Sequence, residues 1–79
     1  MKANLINKDL IIKNEVFERN DIVEIVYGSV DKRKIIKGRI IAFMQTSEGD
    51  ILINVDVSTL YHSDTQIVIM DDVVKIRKA

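Results

Sequence analysis

From Asp21 to Tyr27 the chain reads DIVEIVY, with Val23, Ile25 and Tyr27 alternating with Ile22, Glu24 and Val26. A period of two in β-branched residues predicts a strand with one buried face. The polar stretch Gly28–Lys34 (GSVDKRK) predicts a turn, and IIKGRIIAFM, Ile35–Met44, a second strand. Strict alternation in that second run puts Lys37, Arg39, Ile41 and Phe43 on one face and Gly38, Ile40, Ala42 and Met44 on the other. Gly38 in mid-strand predicts a bulge or sharp bend, because a residue without Cβ lets another backbone approach closely. TSEGD, Thr46–Asp50, predicts a hairpin loop, and ILINVDV, Ile51–Val57, a third strand that turns its isoleucines and valines to the core. After the connection Ser58–Thr65, QIVIM (Gln66–Met70) and VVKIR (Val73–Arg77) predict two more strands. Asp71 and Asp72 between them have the length of a single 3₁₀ turn.

The first nineteen residues read in two ways. LIIK at Leu10–Lys13 is short and β-branched, which predicts an arm containing a brief strand. Ile6, Leu10 and Phe17 fall near helical spacing, so a helix over Asn7–Arg19 capped by Asn7 is the alternative. The expected organisation is an N-terminal arm over residues 1–19 and a β-domain over residues 20–79.

Short strands joined by polar loops give an all-β antiparallel meander, and in a chain this small the sheet removes its exposed edges by curling. The succession RNDIVEIVYG, a basic turn, KGRIIAF, DILINVDV and QIVIMDDVVKIR resembles the strand, turn and closing 3₁₀ order of SH3-like and Sm-like barrels. It covers roughly residues 20–78 and implies a small five-stranded antiparallel barrel. The residues that mark the Sm family are absent from it, so neither a ring nor RNA specificity follows from the resemblance.

Seventy-nine residues close one hydrophobic core, and 47% hydrophobic with 30% charged residues is a globular composition. There is no Cys and one His, so neither a disulfide nor a Cys/His zinc cluster can brace that core. Burial against a second copy is the remaining device for a small core. No apolar run approaches the ~18 residues that cross a bilayer, and no cleavage signal stands at the start, so a cytoplasmic protein is expected. The composition, rich in Ile, Lys, Asn and Asp and without Pro, is of the sort a low-GC bacterial or phage genome encodes. A formal net charge of zero argues against a global field for polyanions, so any nucleic-acid binding is local.

Candidate chemistry is sparse. His62, Ser63 and Asp64 offer a base, a hydroxyl and a carboxylate, but three neighbours in one loop cannot act as nucleophile, base and orienter around one substrate. They read as an exposed loop. Asp71 with Asp72 lacks the alternating oxygen ligands of a calcium loop and reads as a solvated turn. No catalytic residue, metal ligand, cofactor or small-molecule substrate is therefore expected. The remaining feature is the basic cluster Lys32, Arg33, Lys34, Lys37 and Arg39, with Phe43 in register beyond it as a stacking surface for nucleic acid. The plainer reading is a solvated hairpin tip balanced by the acidic loops Glu48–Asp50 and Asp71–Asp72. The same charge layout allows the basic rim of one subunit to dock on the acidic rim of another. A non-catalytic adaptor or assembly module that binds protein, including itself, is thus the expected function, with a nucleic-acid-binding barrel as the alternative.

Overall fold

The computed structural model describes residues 1–79 and consists of eight β-strands and one 3₁₀ turn. No helix is long and apolar enough to cross a membrane. The strands form two antiparallel sheets, one of three strands and one of five.

The small sheet is the N-terminal segment: β1 (Asn4–Ile6), β2 (Asp9–Ile12) and β3 (Glu15–Phe17), in that order. The helical alternative over Asn7–Arg19 is not formed, and the brief strand is three. Two tight turns decide this. Asn7 and Lys8 have φ of 52° and 72°, and Lys13 and Asn14 have φ of 48° and 67°. Two consecutive left-handed residues make the turn whose twist matches an antiparallel hairpin. Each pair contains one asparagine, a residue that tolerates this region. Leu10 pairs with Phe17 across the second hairpin, so two of the three apolar positions with near-helical spacing meet as cross-strand neighbours, while Ile6 pairs with Asp9 and is exposed.

The large sheet contains β4 (Ile22–Tyr27), β5 (Lys34–Gln45), β6 (Ile51–Asp56), β7 (Thr65–Ile69) and β8 (Val73–Lys78), in the order β7-β6-β5-β4-β8. Its twelve-residue strand β5 serves two neighbours in succession. Lys34 to Arg39 pair with β4, and Arg39 to Gln45 pair with β6. Gly38 lies where the partner changes. A Cβ there would collide with the Asp56 carbonyl oxygen and come within 2.9 Å of Val55 Cγ1. The close approach expected of Gly38 is therefore present, whereas the bulge falls beyond it, between Ile40 and Ala42. A 3₁₀ turn, Met70–Asp72, joins β7 to β8. These two strands are the sheet's edges, and no ladder closes one onto the other.

The bulge corrects the predicted faces of β5. Ile40 pairs with Val55, Phe43 with Ile53 and Gln45 with Ile51, and all three partners on β6 are buried. Cross-strand partners share a face. The extra residue at the bulge thus moves Phe43 to the core side, with Ile40, and moves Ala42 and Met44 to the outside. Phe43 packs against the core and is not in register with Lys37 and Arg39.

One core joins the two sheets. Leu10, Ile12 and Phe17 of the small sheet belong to the same buried cluster as Val23, Ile25, Ile40, Ile53, Val55 and Val68 of the large one. No polar or charged residue is buried, and Phe17 is the largest fully buried side chain. The Lys78 ammonium lies 5.7 Å from the Phe17 ring centroid and 3.6 Å from the Asp21 carboxylate, which ties the C-terminal strand to the N-terminal sheet.

Candidate interaction surface

The outer face of β8-β4-β5 follows from the register. Val23 and Ile25 are fully buried, so Ile22, Glu24 and Val26 of β4 point outward with their cross-strand partners. One row across the sheet is Lys75, Val26 and Ile35; the next is Arg77, Glu24 and Lys37. Glu24 accepts a 3.1 Å hydrogen bond from Arg77 Nε. That bond and the charge of Arg77 hold its carboxyl below the ordinary carboxylate range, and Lys37 and Lys75 add to the effect. Three cations thus surround one carboxylate, beside Val26 and a two-thirds exposed Ile35.

The predicted basic cluster is divided by this geometry. Lys37 and Arg39 lie on the outer face, as their spacing predicts. Lys34 pairs with Tyr27 at the start of β5 and belongs to the opposite side. Lys32 and Arg33 are in the preceding loop, where Arg33 Nη1 donates to the Gly28 carbonyl at 3.1 Å. Arg39 is engaged, with Nη1 donating to Asn20 Oδ1 at 2.7 Å and Nη2 lying 3.3 Å from Asp56 Oδ2. The Asp56 carboxyl is itself held low, chiefly by hydrogen bonds from Ser58, with a smaller contribution from Arg39. Lys75 and Arg77 are the cations that sequence reasoning missed. Their alternation in VVKIRK is visible, but their arrival beside Lys37 depends on the pairing of β8 with β4, some fifty residues apart in the chain.

A second property covers the whole sheet. Residues 40–74 contain six Asp/Glu and no Lys or Arg; residues 1–39 and 75–79 contain all twelve Lys/Arg and the other six Asp/Glu. The zero net charge is therefore a difference between a half with six net negative charges and a half with six net positive charges. The negative half covers the end of β5, β6, β7, the 3₁₀ turn and the first two residues of β8, and the positive half β4, the start of β5, the rest of β8 and the small sheet. The two meet where the Asp72 carbonyl accepts from the Gly28 N–H and where Lys2 and Lys13 share a cleft with Asp50 and Asp71.

The negative half also carries an exposed apolar surface. Ile67 and Ile69 of edge strand β7 point outward, next to Asn54 and Leu52 of β6. Beyond them the connection between β6 and β7 forms a tight loop, in which Val57 N–H donates to the Asp64 carbonyl at 3.1 Å. Thr59 and His62 exchange backbone hydrogen bonds of 2.8 and 3.4 Å, leaving Leu60 and Tyr61 as the two residues of the turn. Leu60 is 96% exposed and Tyr61 93%. His62, Ser63 and Asp64 are exposed beside this tip, in agreement with a loop. An open cleft of about 680 Å³ lies between the two sheets and is lined by Lys2 and Lys13 of the N-terminal segment and by Asp50 and Asp71.

Comparison with protein-family models, with curated proteins and with solved structures gave no match to this chain.

Proposed function

We propose that this protein is a non-catalytic assembly module whose principal partner is a second copy of itself, joined head to tail through its negative and positive halves. The observation that carries this reading is the separation of cations across the large sheet, whose strand lysines and arginines all lie on β8 and the start of β5, beside β4, with none on the end of β5, β6 or β7. Such a layout attracts a second copy only when unlike halves meet, which is a heterologous contact. Solvent-exposed apolar residues in both halves, Ile67 and Ile69 in one and Ile22 and Ile35 in the other, give the contact area to bury. The strand order β8-β4-β5-β6-β7, with a 3₁₀ turn between the last two strands in the chain, supports reading the domain as an SH3-like or Sm-like barrel.

Multi-angle light scattering at micromolar concentration and low salt tests the proposal. Species heavier than one chain are expected, and a strict 9.0 kDa monomer overturns it. The second reading is nucleic-acid binding, favoured by the gathering of Lys37, Lys75 and Arg77 on one face. Three phosphate contacts predict that log K falls against log salt with a slope of about −2.7 on duplex DNA. A polarisation titration with duplex and single-stranded oligonucleotides measures that slope, and no binding at low salt removes this reading.

A further inference from the structure

Leu60 and Tyr61 are large, apolar and almost completely bare, and they do nothing for the core of their own chain. Their loop is nevertheless well braced. Besides the paired backbones of Thr59 and His62, the Ser58 hydroxyl accepts from the Asp64 N–H at 3.0 Å, and Ser58 N–H donates to Asp56 Oδ1 at 2.9 Å. A fixed turn that displays an aliphatic and an aromatic side chain has already met the entropy cost that a flexible loop meets on binding. Aromatic anchors of this kind dominate binding energy when they enter a partner's surface.

We propose that the Leu60–Tyr61 tip of one copy seats on the outer face of β8-β4-β5 of the next copy, against Val26 and Ile35 and between Lys37, Lys75 and Arg77. This rests on the self-association proposed above and names its anchor. Charge selects the receiving face. The loop has no Lys or Arg and is flanked by Asp56 and Asp64, whereas three cations around the single carboxylate of Glu24 give the receiving face a positive surplus. That face also supplies what each part of the tip needs. Val26 and the exposed Ile35 offer apolar area for Leu60. The ring of Tyr61 suits the neighbouring ammonium and guanidinium groups, which bind aromatic faces. Within one chain the tip stays more than nine-tenths exposed, so any receptor for it lies outside its own chain.

The test uses a tip variant, L60S/Y61S, and a face variant, I35S, in the full chain. All three positions are exposed, so melting temperatures should match the parent protein; should I35S melt lower, Lys75→Glu serves as the face variant. Sedimentation at matched low-salt concentrations should show each variant associating roughly thirtyfold more weakly than the parent, the size of effect produced by truncating a buried anchor. An equimolar mixture should form a species of two chains, because each variant keeps the surface the other lacks. Parent-like association of either variant, or a mixture that stays monomeric, overturns the proposal while leaving self-association standing. A parent protein that is itself monomeric overturns the assembly reading and this inference with it.

Discussion

Gly38 shows how one residue sets the path of a long strand. The absence of a side chain lets the end of β6 lie against β5 where β5 changes partner, so Gly38→Ala forces a methyl group into the Asp56 carbonyl. Neither atom at the collision is the free end of a flexible side chain, and overpacking of this kind costs about 1–3 kcal/mol. Thermal unfolding of the G38A protein should therefore begin several degrees below the parent; an unchanged midpoint would show that β6 does not approach so closely. The need for a residue without Cβ was legible from a glycine inside an apolar run. The position of the bulge was not, because Ile40, Ile41, Ala42, Phe43 and Met44 are all apolar and an alternation without polar members carries no phase. Phe43 was assigned to the wrong face for that reason.

Strands β6 and β8 were legible because polar residues interrupt each at intervals of two, and β4 and β7 because each is a short β-branched run between polar segments. Of the small sheet only the strand at Leu10–Lys13 was legible, because its turns are Asn-Lys and Lys-Asn without glycine. The candidate surface was half legible: Lys37 and Arg39 share a strand, whereas Lys75 and Arg77 reach them only through a long-range pairing. Asn54 is the misfit of β6. It pairs with Ala42 and Ile67 on the outer face, and its Oδ1 is buried without a hydrogen-bond partner. Asn54→Val removes that orphaned carbonyl and improves strand propensity, so a gain of about 1 kcal/mol is expected in denaturant unfolding. Loss of stability would mean the amide makes a bond worth more than its burial. Between β4 and β8, Glu24 gives a pH dependence. Its carboxyl is held low by Arg77, so its stabilising contribution is complete above the ordinary carboxylate range and disappears as pH falls through the depressed value. Glu24→Gln should narrow the stability gap to the parent as the solution is acidified from neutrality to about pH 3. A gap independent of pH would deny the Arg77 pairing a role in stability.

At the scale of the molecule, the small sheet and the large one close a single core, yet the strand cations of the large sheet all lie on β8 and the start of β5 and none lies on β6 or β7. β8 carries Lys75 and Lys78 with a bulge next to Tyr27, the usual protection of an exposed edge. β7 is an edge without a charged residue and with Ile67 and Ile69 uncovered. Under the proposed head-to-tail assembly, these unlike edges leave a neighbouring copy one orientation in which to arrive. The most direct test is the association constant measured by sedimentation equilibrium as sodium chloride rises from about 0.01 M to about 1 M, over which the Debye length falls from about 30 Å to about 3 Å. Attraction between opposite halves predicts association that is strongest at the lowest salt and weakens steadily across the series. Association that strengthens with salt, or a single chain at every salt concentration, contradicts it.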